Sequence, residues 1–191
     1  VTADVESTES AWSELTALAD GGADPRMLRR AFGCFPSGVA AICGSDLAAA
    51  PGTDGEGAAA GPVGMAVSTF TPVSLDPPLV SVCLQTSSTT WPRLRRLSHL
   101  GISVLGEEHG VACRQLSARE GDRFAGLPVI TTGRGAVLLA GASAWLECVP
   151  HAEMPAGDHV IAVLRVVAMR ADPQITPLVF HASQFRRLAA S

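Results

Sequence analysis

Three polar segments interrupt an otherwise apolar chain, and each carries side chains able to hold a ligand. The first, Gly64-Met65-Ala66-Val67-Ser68-Thr69-Phe70-Thr71-Pro72-Val73-Ser74, runs from a strand into a series of hydroxyls. Such a segment serves either as a Thr/Ser-rich edge strand or as a rim along which a ligand lies, held by main-chain and hydroxyl groups. The second, Thr86-Ser87-Ser88-Thr89-Thr90, stands before a short helical pattern, with Arg93, Arg95 and Arg96 close behind. Hydroxyls beside the unpaired N–H groups of a helix start suit a phosphate, and they suit plain capping equally well. The third, Pro155-Ala156-Gly157-Asp158-His159, opens the longest apolar strand. Gly-Asp suits an ordinary turn, while a His at the mouth of a barrel can contact a ligand as hydrogen-bond donor or proton shuttle.

Other chemistries lack their residues. Gly-x-Ser-x-Gly is missing, and no Cys has an activating His beside it, so nucleophilic catalysis finds no support. The Gly-rich dinucleotide fingerprint of a doubly wound sheet is absent too. The five cysteines (Cys34, Cys43, Cys83, Cys113, Cys148) are widely spaced and without C-x-x-C, which predicts core filler rather than disulfides or zinc. His109 and Cys113, four residues apart, read as a structural pair, and no metal site is expected.

The 191 residues carry 14 Lys+Arg, every one an Arg, against 18 Asp+Glu, for a formal charge of -4, and the chain holds no Tyr. A mildly acidic chain argues against a nucleic-acid partner, which would need a basic stripe. No apolar run approaches the roughly 20 residues of a bilayer span, and the first residues lack the basic and apolar regions of a signal peptide, so secretion is not expected. The expectation is a soluble, cytoplasmic protein with one domain.

Several elements must position these segments. Apolar spacing predicts a helix over 10–19, then a second from Pro25 to about Phe32 with Asp24 as its cap. Strands are expected at 37–43, at 63–73 as one continuous piece, and at 79–84 after Asp76-Pro77-Pro78. An elongated, mobile loop over 44–61 should join the first two antiparallel strands. Further on come a helix at 89–97, a strand at 101–105, a helix at 108–118, a long strand at 136–149 broken near Gly141, and strands at 160–170 and 177–181. Antiparallel strands with few, short helices predict a mainly β fold, a small closed β-barrel with short helices as decoration.

In this order, the segments resemble the short-chain flavin reductases, the FMN-binding split-barrel family. The likeness begins at Leu28-Arg29-Arg30-Ala31-Phe32-Gly33-Cys34-Phe35-Pro36-Ser37-Gly38-Val39. It continues through the segment from Gly64 to Leu75-Asp76-Pro77-Pro78-Leu79-Val80, then Ser88-x-Thr90, Gly101-Ile102-Ser103-Val104-Leu105, Asp122-Arg123-Phe124, Gly157-Asp158-His159 and Pro177-Leu178-Val179-Phe180-His181. Leu164 stands where the family pattern carries a glycine, and no Tyr stands near Phe180.

The resemblance implies a Greek-key-like antiparallel split barrel over 25–191, with 1–24 as an N-terminal extension. It implies an NADH- (or NADPH-) dependent reductase of free flavin, FAD favoured over FMN, feeding a separate flavin-dependent monooxygenase; a homodimer is expected. Met65, Ala66, Val67, Ser68, Thr69, Phe70 and Thr71 would line the isoalloxazine, and Ser88 with Thr90 would hold the phosphate. Ser117 and Phe124 would flank the distal portion of the flavin. His159, on the Gly157-Asp158 turn, would position the nicotinamide, with Phe180 and Phe185 closing the site and Arg186 as charge partner. The alternative is a split barrel that binds flavin for storage or sensing without turnover.

Overall fold

The computed structural model describes Leu18, residues 24–46 and residues 61–188, and the chain divides into two compact units, Val1–Phe35 and Pro36–Ser191. In the first unit, helix α1 spans Pro25–Phe32. Its start is as the sequence dictates: Asp24 Oδ1 accepts the Arg26 N–H at 2.9 Å, and Pro25 occupies the first turn, where its missing N–H costs nothing. The helix expected over 10–19 and the middle of the 44–61 loop lie outside the described residues.

The second unit is built on antiparallel strands. They are β1 (Ser37–Gly38), β2 (Ala40–Gly44), β3 (Val63–Val67), β4 (Thr71–Leu75), β5 (Pro78–Gln85), β6 (Leu100–Val104), β7 (Val129–Thr131), β8 (Val137–Leu139), β9 (Ala144–Ala156), β10 (His159–Ala171), β11 (Val179–His181) and β12 (Gln184–Arg186). Among the described residues, two short α-helices, α2 (Trp91–Leu94) and α3 (Gly110–Leu116), interrupt them, α3 following a 3-10 turn at Glu107–His109. The main sheet runs β3-β2-β6-β9-β10-β5-β4, with β1-β11-β12 and β7-β8 as small satellites.

Six of the seven main strands send side chains into one core: Ile42, Val67, Val82, Leu84, Ile102, Cys148 and Leu164 meet there with Trp91 and Leu94 of α2. A sheet whose strands share one interior in this way is curled into a barrel. Its edge strands β3 and β4 are not hydrogen-bonded to each other among the described residues, so the barrel is split at that seam rather than closed. A second core, with Leu105, Leu116, Val137, Leu139 and Leu178, lies between α3 and the satellite strands.

Several expected elements are corrected. The strand expected over 63–73 breaks at Ser68–Phe70, because the chain leaves β2 for β5 there. The Thr69 hydroxyl bridges the break, donating to Cys83 O at 2.9 Å and accepting Cys83 N–H at 3.0 Å. The strand expected over 37–43 is divided at Val39, its first piece pairing with β11 and its second with β3 and β6. The helix expected over 89–97 is only Trp91–Leu94 long, and that over 108–118 ends at Leu116. The long strand expected over 136–149 is two strands, β8 and β9, with Gly141 at φ 78 between them. Strands β7 and β12 were not anticipated.

Candidate functional site

A cleft of about 730 Å3 opens between β3 and β5, at the split. One wall is the end of β3, Met65–Val67, continuing through Ser68 and Thr69. The facing wall is the end of β5, Cys83–Gln85, and the loop Ser87–Thr90. Leu116 and Ser117 from the end of α3, with Arg119 and Arg123 beyond it, form a third side, and His159 stands at the start of β10. All three polar segments singled out in the sequence therefore meet in one cavity.

Hydrogen bonds fix these walls. Ser88 Oγ accepts the Trp91 N–H at 3.1 Å, satisfying one of the free donors of α2, and lies 4.0 Å from Met65 Sδ across the cleft. Thr90 is buried, and its Oγ1 accepts from Arg123 Nη1 at 2.8 Å; the same nitrogen reaches Gly64 O at 3.3 Å. Arg123 thus ties the hydroxyl loop to β3. Gly64 is required at that crossing, since a Cβ there would lie 2.4 Å from Cys43 Sγ and 2.9 Å from the Phe124 ring.

The turn that carries His159 is equally determined. Ala156 pairs with His159 across the two-residue loop Gly157-Asp158, with Gly157 at φ 62, as a tight hairpin needs. The Thr86 N–H and hydroxyl both donate to Asp158 O at 3.0 Å, fastening the turn to the end of β5. His159 Nδ1 lies 2.7 Å from Asp158 Oδ1. A carboxylate only accepts, so Nδ1 carries the proton and Nε2 is the nitrogen left for a ligand.

A smaller chamber of about 290 Å3 shares Ala66, Val67, Ser68 and Ser117 with the cleft. Phe180 and Phe185 line it, edge to face with centroids 5.8 Å apart, and the Arg114 guanidinium sits 5.7 Å over the Phe185 ring. The Ser117 hydroxyl donates to Cys113 O at 2.8 Å.

Of the residues named from the sequence, Met65, Ala66, Val67, Ser68, Thr69, Ser88, Thr90, Ser117 and His159 line the cleft. Gly157 and Asp158 form the turn beneath His159, and Phe180 with Phe185 lines the smaller chamber. Phe124 lies in a further side chamber that shares Thr89, Thr90, Arg119 and Arg123 with the cleft. Phe70 packs against the barrel core, and Thr71 begins β4 opposite Ser81; neither lines the cleft. Arg186 is exposed on β12 opposite Val179, and the cation at Phe185 is Arg114 instead. Sequence reasoning missed Arg114, Arg119 and Arg123. Only Arg123 had a signal, as the middle residue of Asp122-Arg123-Phe124.

Leu164 is 1% exposed in the barrel core and is not among the residues lining the cleft. Cys43, Cys113 and Cys148 are core, as expected; burial pushes Cys43 and Cys148 up to about 12 and raises Cys113. Cys83 is half-buried at the cleft, and Cys34 is exposed next to α1, so these two are not core filler. Among the described residues, no group of three or more His, Cys, Asp or Glu stands ready for a metal, and no helix is long and apolar enough to cross a membrane.

Residues 32–189 match the model of the flavin reductase like domain. A flavin reductase of Pseudomonas putida is 32% identical over 167 residues, 87% of this chain and 92% of that protein. The reductase subunit of a flavin-dependent monooxygenase from Rhodococcus jostii is 32% identical over 176 residues, 91% of this chain and 84% of the relative. Among solved structures, the NADH:FAD oxidoreductase of Streptomyces globisporus in complex with NAD and FAD fragments superposes with a TM-score of 0.78 at 31% identity, covering 92% of this chain and 98% of that one.

Proposed function

The chain belongs to the flavin reductase-like domain family and is a flavin reductase, and from that premise we propose that it reduces FAD with NADH in the main cleft and releases the reduced flavin to a separate flavin-dependent monooxygenase. The observation that carries the reading is the meeting of three walls at the split: an extended strand rim, a hydroxyl loop and a single oriented histidine. The residues fit the group. A cleft of about 730 Å3 falls within the roughly 300–1,000 Å3 of cofactor sites, with an apolar strand on one side and hydroxyls, arginines and a histidine converging from the others.

When bound together, flavin and nicotinamide supply the chemistry themselves, a hydride passing from nicotinamide C4 to flavin N5. The chain's part is positioning and exclusion of water. Met65 to Ser68 offer a main-chain rim for the flat ring system. Thr69 serves that rim rather than the ligand, since its hydroxyl already holds Cys83. The Ser87–Thr90 loop, with Arg123 drawn against Thr90, presents hydroxyls and positive charge to a flavin phosphate. Ser117 and Phe124 flank the rest of that ligand. His159 Nε2, with the ring oriented through Asp158, meets the nicotinamide side, and Phe180 with Phe185 closes the adjoining chamber.

In this reading residues 25–191 are the catalytic domain, 1–24 an extension, and two copies pair. The support for pairing is apolar surface on β4, β9 and β10: Leu75 is 95% exposed, Met169 73% and Met154 51%. Light scattering should return twice the 19.7 kDa chain mass. For activity, NADH oxidation is followed with FAD, FMN or neither. Flavin-dependent oxidation, faster with FAD, is the expected result. Stoichiometric flavin binding without NADH consumption would instead support the storage or sensing alternative.

A further inference from the structure

We propose that the arginine-rich chamber beside the hydroxyl loop receives the adenosine diphosphate half of FAD, and that Arg93 and Arg119 there select FAD over FMN. The inference rests on the reading of the main cleft as a flavin site. The chamber holds about 360 Å3 and opens off the cleft through a shared wall of Thr89, Thr90, Arg119 and Arg123. His159 belongs to the cleft alone, so the chamber extends from the hydroxyl-loop wall and not from the nicotinamide-positioning residue.

Its charge is one-sided. Arg93, Arg119 and Arg123 line it with a single carboxylate, Asp122, whose Oδ1 accepts the Phe124 N–H at 2.9 Å. Arg123 is committed to Thr90 and Gly64. The Arg93 and Arg119 side chains are exposed, and neither makes an ion pair or hydrogen bond among the described residues. Three arginines elsewhere among the described residues do find carboxylates: Arg95 with Glu153 at 3.5 Å, Arg134 with Glu147 at 4.0 Å, Arg187 with Glu107 at 3.5 Å. Three guanidinium groups facing one carboxylate repel one another, and an anion spanning them removes that cost. Guanidinium groups recognise phosphate oxygens by paired N–H donors, and the Phe124 ring in the same chamber offers an apolar surface to a base. FMN ends at one phosphate, which the hydroxyl loop accommodates. Only a dinucleotide reaches past it.

NADH carries the same adenosine diphosphate half, so the test separates the two sources. Arg93→Ala and Arg119→Ala remove exposed, unpartnered side chains, which leaves the core untouched. Dissociation constants for FAD, FMN and ADP are measured by calorimetry on the intact chain, and KM for NADH is measured with FMN as acceptor. Loss of one charge-assisted phosphate contact should raise the FAD-to-FMN ratio of dissociation constants about tenfold in each variant. ADP binding should weaken in parallel, and KM for NADH should move less than that ratio. An unchanged ratio in both variants overturns the inference. A rise in KM for NADH without a change in the ratio also overturns it, assigning the chamber to the nicotinamide nucleotide. If the unmodified chain binds neither flavin, the flavin-site reading itself fails, and this inference with it.

Discussion

His159 owes its place to neighbours on both sides of a hairpin. Its backbone pairs with Gln85 and Ala156, its ring is held through Asp158, and Thr86 pins the turn to β5. In the reading proposed above the flavin lies along the rim from Met65 to Ser68, and the imidazole, bonded to Asp158, makes no hydrogen bond to that rim. His159→Ala should therefore lower kcat/KM for NADH by about tenfold to a hundredfold, the scale of a misplaced reactant, while the dissociation constant for FAD changes little. Equal losses in both would assign His159 a structural role. The two departures from the family pattern fall in different parts of the fold. Leu164, in place of the family glycine, points into the barrel core opposite Val80 and does not reach the cleft. Where no Tyr stands near Phe180, the Phe180–Phe185 pair under Arg114 fills the chamber wall with aromatic surface instead.

Strand pairing at the split shows why some elements were legible and others were not. Asp24 with Pro25, Gly157 with Asp158, and the apolar runs of β5 and β10 carry their instructions within a few residues, and each formed close to where its sequence put it. The break between β3 and β4 depends on Thr69 meeting Cys83, a contact between positions 14 apart in the chain, and no local pattern announces it. The same holds for Arg123, which reaches Thr90 from 33 residues away. Short satellite strands such as β12 are too brief for periodicity to register. The turn before β12 also stores strain: Ala182 and Ser183 sit at φ 50 and φ 62, a left-handed region where a side chain costs about 1–2 kcal/mol per residue. Ser183→Gly should relieve part of this and raise stability by about 0.5–1 kcal/mol, read as a higher urea midpoint at unchanged slope. A lower midpoint would mean that the Ser183 side chain stabilises the turn by a contact of its own.

Stability of the whole barrel is coupled to pH through thiols buried in both cores. Burial raises Cys43 and Cys148 from 9.0 to about 12, with Glu147 adding to the rise at Cys148, and it raises Cys113 as well. The folded chain thus keeps protons that the unfolded chain gives up once pH passes 9.0. The sign follows: the neutral thiols leave stability intact below pH 9.0, and stability falls as pH rises from there toward 12. Each fully linked thiol contributes a slope of about 1.4 kcal/mol per pH unit, so Cys43 and Cys148 together approach about 3. Over the roughly three pH units between 9.0 and about 12 that slope removes about 8 kcal/mol, against a typical total of about 5–15 kcal/mol, so the unit should lose about half or more of its stability by pH 12. Urea midpoints should be level from about pH 7 to about pH 9 and decline steeply beyond, and Cys148→Ala should make the decline shallower even if it lowers stability at neutral pH. Alkylation provides a second readout. Cys34 is exposed and reacts in the folded chain, whereas Cys43 and Cys148 become reactive only as the barrel opens, so their labelling should rise along the same pH curve. A urea midpoint that stays level through the alkaline range, with Cys148 labelled as fast as Cys34, would show that the barrel opens locally at β9 without losing its fold.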